Sequence, residues 1–203
     1  AMCYRRLQGA QKELLEGKEF EGISGRFSGD FKVRNLVDFL WHDVGEKKLG
    51  DKVSKPLQGL NVVSYYGCLN VRPPKVTGHS CPEDPLEMDQ ILTTLGANVK
   101  NWSYKTDCCG GGLVLPLPDI AYKLIAKLMD MAEEAGADCV AAACPMCHNS
   151  LDIYQREISK AEGKKYSMPI FYISELLGLA FDDPSVKKWL KRHRTNTLRL
   201  LAD

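Results

Sequence analysis

The segment Cys139-Val-Ala-Ala-Ala-Cys-Pro-Met-Cys-His148 joins a run of small apolar residues to two closely spaced cysteines. A continuous apolar run of this length is typical of a strand that is buried on both faces, as the central strands of a parallel sheet are. The run ends at Ala143, and the two cysteines follow at once. We therefore predict a central parallel strand whose carboxyl end carries two thiols.

Working outward from this strand, short apolar runs alternate with longer segments of helical periodicity. Further strands are predicted at 60–66, 98–104 and 169–173. Helices are predicted at 85–95, 118–135, 148–161, 174–179 and 186–194. Such alternation indicates an α/β fold, a Rossmann-like parallel sheet of about four strands with flanking helices. We assign residues 58–203 to this domain and residues 1–57 to a helical N-terminal appendage.

Composition limits the class of protein. The 203 residues are 44% hydrophobic and 26% charged, as in an ordinary globular protein. The net charge of +1 provides no basic field for a nucleic acid, so we expect none as a partner. No apolar stretch approaches the roughly 20 residues of a membrane span, and the N-terminus lacks the apolar core of a signal peptide. We expect a cytoplasmic protein without a membrane span.

The chain contains 8 cysteines, which is unusual for a cytoplasmic protein, where disulfides are disfavoured. Five of them follow the ends of predicted strands: Cys68, Cys108, Cys109, Cys144 and Cys147. The carboxyl ends of parallel strands share one edge of a sheet, and ligands bind outside that edge. We therefore expect these five thiols to converge, and metal or redox chemistry is the leading interpretation.

The adjacent pair Cys108-Cys109 bears on the kind of metal centre. A tetrahedral zinc ion takes four ligands and would leave one thiol over. Successive side chains diverge, so they reach two irons of an extended cluster more readily than one small ion. Gly110 and Gly111 come next, where the backbone can approach closely and its N–H groups can face a cofactor. The pair favours a polynuclear centre, while zinc remains an alternative.

Three motifs in order carry a family resemblance: Tyr65-Tyr-Gly-Cys-Leu-Asn-Val-Arg-Pro73, Asp107-Cys-Cys-Gly-Gly111 and Ala143-Cys-Pro-Met-Cys-His148. Over roughly residues 58–180 the chain resembles the cysteine-rich CCG domain of the B subunit of heterodisulfide reductase. That family has two such domains, and Met2-Cys-Tyr-Arg-Arg-Leu7 resembles the tail of the first one. Residues 1–57 are therefore interpreted as a remnant of a preceding CCG domain plus a linker, and the chain as the C-terminal CCG domain with the first one missing.

The resemblance implies a noncubane [4Fe–4S] cluster held by Cys68, Cys108, Cys109, Cys144 and Cys147. It implies an iron–sulfur redox subunit that passes electrons to a disulfide and cleaves it to two thiols. The substrate would be a small disulfide or thiol, and the partners other heterodisulfide reductase-like subunits with iron–sulfur and flavin electron-transfer chains. Related domains serve other dehydrogenase complexes, which is a second interpretation. Exposure to air would leave the site empty or holding zinc.

The remaining candidates stay open. Cys81 lies on the loop after the first strand, where it is either a sixth thiol of the metal site or an ordinary loop residue. His148 is either a cap or a catalytic proton donor, and Lys105 is either a surface lysine or a charge partner of a thiolate-rich site. Cys139 is expected to be a buried small hydrophobe, and Cys3 not to be a ligand. The alternative functions are a zinc-binding structural or assembly module and a metal-free dithiol enzyme. We do not expect the single chain to be active alone.

Overall fold

The computed structural model describes residues 1–19, 21–22 and 27–201. A sheet of four parallel strands lies at its centre, in the order β2-β1-β3-β4. The strands are β1 (Asn61–Tyr65), β2 (Asn98–Val99), β3 (Cys139–Ala142) and β4 (Ile170–Tyr172). Helices flank this sheet, which confirms the predicted parallel α/β fold.

Helices connect the strands and cover the sheet. The α-helices are α1 (Met2–Leu15), α2 (Leu36–Asp38), α3 (Glu46–Gly50), α4 (Cys68–Val71), α5 (Pro74–Thr77), α6 (Glu87–Thr94), α7 (Pro118–Glu134), α8 (Pro145–Ile153), α9 (Gln155–Glu162), α10 (Ile173–Ala180) and α11 (Val186–Leu190). A π-helical segment spans Phe39–Val44, and a 3₁₀-helix spans Thr197–Leu201. No helix of the described residues is long and apolar enough to cross a membrane.

Two apolar cores form on the two faces of the sheet. Val62 of β1 packs with Ile91 of α6 in one core, and Val63, the next residue of β1, packs with Ile125 of α7 in the other. This alternation follows from the period of two residues along a strand. All of β3 is buried, as its continuous apolar sequence predicts. Full burial of each large aliphatic side chain stabilises the fold by roughly 1.5–3 kcal/mol.

The second strand is much shorter than the predicted 98–104, which is a correction to the sequence analysis. The backbone N–H of Lys100 still donates to the Val62 carbonyl at 2.8 Å. Two residues later the Ser64 carbonyl accepts instead from the Trp102 indole Nε1, also at 2.8 Å. Because the side chain supplies this hydrogen bond, the backbone leaves the sheet and turns toward Cys108.

The predicted helix at 148–161 is in fact two helices, α8 and α9, and the first begins earlier, at Pro145. Proline suits the first position of a helix because its missing N–H has no intrahelical partner there. Cys147 therefore lies in the first helical turn rather than in a loop before it. The predicted helix 186–194 is also shorter and ends at Leu190.

The N-terminal segment is packed onto the α/β domain. The Tyr4 hydroxyl of α1 donates to the Thr77 carbonyl at 3.3 Å. Val37, Leu40 and Leu49 belong to the same apolar core as β1. Residues 36–50 thus complete one face of the α/β domain, and the division of the chain at residue 57 stays a prediction.

The strand order places a crevice above the middle of the sheet. After β1 the chain moves to β2 on one side, and it then crosses back to β3 on the other side of β1. The connections that follow β1 and β3 therefore lead to opposite edges of the sheet. In open parallel sheets ligands bind at such a switch point, outside the carboxyl ends of the strands.

Candidate metal centre

The two strands at the switch point each lead into a helix that carries cysteine. Cys68 is the first residue of α4 and comes soon after β1. Cys144 is the N-cap of α8, and Cys147 lies in the first turn of that helix. Cys108 and Cys109 lie on the loop that enters from β2. The structure thus places all five thiols at one edge of the sheet.

The β1 and β3 connections meet at Gly67. This residue has a positive φ of 70°, a conformation that glycine adopts without strain. A Cβ atom at this position would lie 2.6 Å from the Cys147 Sγ and 3.7 Å from the Cys144 Cβ. Only a residue without a side chain allows the first loop to approach the thiols of the second so closely.

The sulfur atoms are in direct contact with one another. Cys109 Sγ and Cys147 Sγ are 3.2 Å apart, and Cys144 accepts a hydrogen bond from the Cys147 thiol. Cys68 lies within hydrogen-bonding reach of Cys108. All eight cysteines are among the described residues, and none forms a disulfide. These contacts form two groups of thiols, Cys109, Cys144 and Cys147 in one and Cys68 and Cys108 in the other.

Sharing of protons among these thiols alters their acidity. Hydrogen bonding from Cys147 lowers the pKa of Cys144 to about 5, and backbone N–H groups of α8 contribute to this. Hydrogen bonding with Cys147 also lowers the pKa of Cys109 to about 7. The pKa of Cys147 is raised, because its proton is held by Cys109 and Cys144. The lowered pKa values of Cys144 and Cys109 favour the thiolate form, which binds metal, at these two positions.

The neighbouring cysteines of the pair contact different thiols. Cys109 is buried and contacts Cys147, whereas Cys108 is exposed and interacts with Cys68. Burial and the nearby thiols of Cys108 and Cys109 raise the pKa of Cys68. The pair therefore bridges two groups of thiols, one from the β1 loop and one from the β3 loop.

Backbone N–H groups of the glycine run face these sulfurs. The Gly110 N–H donates to the Cys108 Sγ at 3.4 Å, and the Gly111 N–H donates to Cys109. At Gly110, which has a φ of 65°, a Cβ atom would lie 2.9 Å from the Cα of Ala121 in α7. Gly110 thus also allows the loop to lie against α7, while hydrogen bonds from the loop favour negative charge on sulfur.

Two residues outside the predicted set support the site. The buried Tyr65 at the end of β1 donates its hydroxyl to the Asp107 carbonyl at 2.6 Å, and it lowers the pKa of Cys109. Ser150 of α8 donates to the Cys109 carbonyl at 3.1 Å. Tyr65 directly precedes the Tyr-Gly-Cys motif, but its hydroxyl contacts residues that only the fold brings near.

The side chain of Lys105 pairs with carboxylates. Its ammonium group is buried and lies 2.8 Å from Asp84 Oδ1 and 3.3 Å from Asp89 Oδ1. Its carbonyl accepts from the N–H groups of Tyr66 and Gly67, which fixes the loop after β1. The sequence predicts Lys105 either at the surface or as a charge partner of the thiolates. Its ammonium group is instead buried, and two carboxylates compensate its charge.

The other candidates have different environments. Cys139 is fully buried in β3, and Cys3 and Cys81 are exposed. The N–H of Cys81 donates to His79 Nδ1 at 3.3 Å, and no contact of its thiol with the five clustered thiols is found in the described residues. His148 is partly buried beside His193, and burial together with that neighbour lowers its pKa. The roles of Cys81 and His148 stay predictions.

The chemistry of the five donors fits an iron–sulfur centre. Thiolates select zinc or iron–sulfur clusters among the biological metals. Five thiolates exceed the four ligands of a tetrahedral zinc site, and thiolates this close repel one another unless a cation compensates them. The mutual contacts of the sulfur atoms, three of which are almost fully buried, are otherwise unexplained by packing.

Residues 62–152 match the CCG family model, which describes a cysteine-rich domain. These residues contain the five thiols and all three motifs of the sequence analysis. This segment of the chain therefore resembles the CCG cysteine-rich domain. The resemblance to the B subunit of heterodisulfide reductase is confirmed by relatives with that name.

The relatives of this chain are named as reductase subunits or as similar to one. The chain is 29% identical to the B subunit of the ferredoxin:CoB-CoM heterodisulfide reductase of Methanosarcina mazei, over 98% of this chain and 70% of the relative. It is 33% identical to the 8-methylmenaquinol:fumarate reductase membrane anchor subunit of Wolinella succinogenes, over 86% of this chain and 61% of the relative. A protein of Archaeoglobus profundus that is named as similar to the heterodisulfide reductase B subunit is 29% identical over 91% of this chain and 66% of the relative.

Proposed function

We propose that the protein is an iron–sulfur redox subunit that holds a noncubane [4Fe–4S] cluster through Cys68, Cys108, Cys109, Cys144 and Cys147. The observation that carries this proposal is the division of the adjacent cysteines, Cys108 toward Cys68 and Cys109 toward Cys147. Two thiolates that face different neighbours suit different irons of one extended cluster. A single zinc ion would use only part of this arrangement.

When bound, the cluster would supply one-electron chemistry at the sheet edge. The protein's own groups would hold it and adjust its charge. Hydrogen bonds from Gly110 and Gly111 stabilise negative charge on the sulfurs of Cys108 and Cys109, and such bonds raise the potential of an iron–sulfur site. Tyr65 contributes in the same direction on the buried side.

The reaction that we propose is reduction of a small disulfide. Cleavage of the S–S bond consumes two electrons and two protons and gives two thiols. The electrons would come from partner subunits with iron–sulfur and flavin groups, and the protons from solvent. Relatives named as heterodisulfide reductase subunits support this substrate class. We propose that activity needs those partners and that the complex works in the cytoplasm, where thiols stay reduced.

A second candidate is electron transfer in another reductase. The 33% identity with a fumarate reductase subunit favours it specifically. In this role the same cluster would relay electrons, and no disulfide would be cleaved at it. A structural zinc module is a third alternative, which the metal content distinguishes from the other two.

The experiment is a metal and sulfide count after purification without oxygen, followed by an assay. We expect about four irons and about four sulfides per chain. Stoichiometric zinc without iron, also after anaerobic reconstitution, would contradict the proposal. Reduced protein with the cluster should then cleave a small mixed disulfide when its partner subunits are present. Electron transfer to another acceptor without disulfide cleavage would favour the second candidate.

A further inference from the structure

A second cluster of metal-binding side chains lies beside the cysteine site. His148 of α8, Glu175 of α10 and His193, which follows α11, each offer one ligand atom, and these atoms lie within 4.8 Å of one another. The Nε2 atom of His193 is 2.8 Å from Glu175 Oε1. The rings of His148 and His193 are nearly perpendicular, with centroids 4.8 Å apart.

Two buried ring nitrogens of this cluster, His148 Nε2 and His193 Nδ1, lack a hydrogen-bond partner among the described residues. His148 Nε2 is inaccessible to solvent and has no hydrogen-bond partner among the described residues. Buried polar atoms in folded proteins almost always have a partner, and an exception calls for an explanation such as an absent ion or water. The nearby His193 Nε2 and Glu175 Oε1 atoms pair with each other rather than with this nitrogen.

Neighbouring groups hold two of the three ligands in place. The backbone N–H of Tyr172 donates to Glu175 Oε2 at 2.8 Å, which leaves Oε1 toward His193. Asp152 accepts from the N–H groups of Arg194 and Thr195 at 2.8 and 3.0 Å, and this fixes the two residues that follow His193. Hydrogen bonds of this kind orient the ligands of metal sites.

A cavity of about 370 Å³ adjoins the cluster. His148 and Glu175 both line it, together with Tyr172, Ser174 and Trp189. An ion held by the three side chains would therefore have a side open to the cavity for water or another small ligand. Three protein ligands with an open position are typical of catalytic zinc sites.

We propose that His148, Glu175 and His193 form a binding site for one divalent transition-metal ion of the zinc class. Two imidazoles and one carboxylate suit zinc and its neighbours, whereas magnesium and calcium prefer oxygen ligands alone. The ion would bind His148 Nε2 and replace the proton between His193 and Glu175. The site contains no sulfur ligand, so it is separate from the cysteine centre although His148 follows Cys147. This assignment replaces the proton-donor role that the sequence suggested for His148.

The test is zinc binding by the whole chain and by variants. Glu175→Gln keeps an acceptor for the Tyr172 N–H and removes the charged ligand, and His193→Gln removes the second imidazole. Equilibrium dialysis should show one zinc per chain fewer in each variant than in the wild type. His79→Gln is the matched control, because His79 also pairs with a glutamate, Glu87, at 3.5 Å and belongs to no three-residue cluster among the described residues. It should retain the zinc.

Binding at the cysteines is distinguished by spectroscopy. Cobalt at the proposed site should give ligand-field bands without the charge-transfer bands of thiolate ligands. Cys144→Ser should leave the ligand-field bands of this site unchanged. Folded Glu175→Gln and His193→Gln variants with wild-type zinc content would overturn the proposal. If the variants do not fold, anomalous diffraction from wild-type crystals soaked in zinc tests the proposal instead. An anomalous peak between the three side chains supports the site, and a peak at the cysteines alone overturns it.

Discussion

Gly67 lies so close to Cys147 that a Cβ atom at Gly67 would be 2.6 Å from the Cys147 Sγ. This contact joins the connection after β1 to the first turn of α8. It places Cys68 beside the thiols that follow β3, although the two segments are far apart in sequence. The convergence of the cysteines thus depends on the absence of one side chain.

The first prediction is that Gly67→Ala abolishes metal binding at the five cysteines. Its methyl group would push Cys147 out of place, and alanine at a φ of 70° costs roughly 1–2 kcal/mol of folding free energy. Gly136→Ala is the matched control, since Gly136 has a φ of 72° and nothing within 4 Å of its added Cβ. It should lose similar stability and keep its metal. Equal metal content in the two folded variants would refute the role of Gly67.

The second prediction concerns the adjacent cysteines. Cys108→Ser and Cys109→Ser should each abolish or change the electron-paramagnetic signal of the reduced cluster, because each thiolate neutralises a different iron. With zinc bound instead, one of the two replacements should leave the metal content almost unchanged. The measurement is metal analysis and spectroscopy on protein prepared without oxygen.

Cys139→Ser is the control for this pair. Cys139 is fully buried in β3 and should lose packing stability without losing metal. Equal metal loss in all three variants would indicate general unfolding rather than ligation. Metal retained in both Cys108→Ser and Cys109→Ser would end the cluster proposal.

The sheet and the placement of the thiols could be predicted because they depend on patterns local to the chain. The apolar run at β3 and the repeated alternation of strand and helix define parallel strands, and parallel strands align their carboxyl ends. The five cysteines follow those ends and therefore share one edge. Their role as metal ligands stays a prediction.

Other features depend on contacts that the sequence does not display. The early end of β2 follows from the Trp102 indole, which takes over the hydrogen bond to Ser64. Lys105 pairs with Asp84 and Asp89, and neither carboxylate can be identified as its partner from spacing. The neighbours of His148 come from segments after β4, so the cluster exists only in the folded chain.

The third prediction is that the metal-free, reduced protein contains thiolates at neutral pH. The pKa of Cys144 is about 5 and that of Cys109 about 7, in both cases chiefly because of hydrogen bonding with Cys147. Lowered pKa values mean that thiolate forms below the ordinary thiol range near pH 8.5. Ultraviolet thiolate absorbance should therefore rise as pH increases from about 5 to about 7.

Removal of the Cys147 thiol tests whether hydrogen bonding with Cys147 causes these lowered pKa values. In Cys147→Ala both titrations should move to higher pH, because Cys144 and Cys109 lose their shared hydrogen bonds. Cys139→Ala should leave the curve unchanged, since burial raises the pKa of Cys139 and keeps it protonated. An unchanged curve in Cys147→Ala would show that another group causes the acidity.

The last prediction concerns acid stability and the pair Glu87 and His79. The two side chains are little exposed and lie 3.5 Å apart. Hydrogen bonding from His79, with N–H groups near the start of α6, lowers the pKa of Glu87 from 4.5 to about 2. Because the pKa of Glu87 is lower in the folded protein, the unfolded chain takes up this proton at a higher pH as the solution is acidified. The contribution of Glu87 to stability is therefore complete above about pH 4.5 and is lost as pH falls toward 2.

Glu87→Gln should remove this dependence. For side chains at this separation, we expect Glu87 to contribute roughly 2 kcal/mol to the free energy of unfolding at neutral pH. Denaturant unfolding at about pH 6 and about pH 3 should show a smaller loss of stability in the variant than in the wild type, because the variant has no proton to take up. Glu13→Gln, on the exposed face of α1, should match the wild type, since surface ion pairs contribute only about 0–1 kcal/mol. If Glu87→Gln loses as much stability on acidification as the wild type, the pair does not stabilise the loop between β1 and α6 through charge.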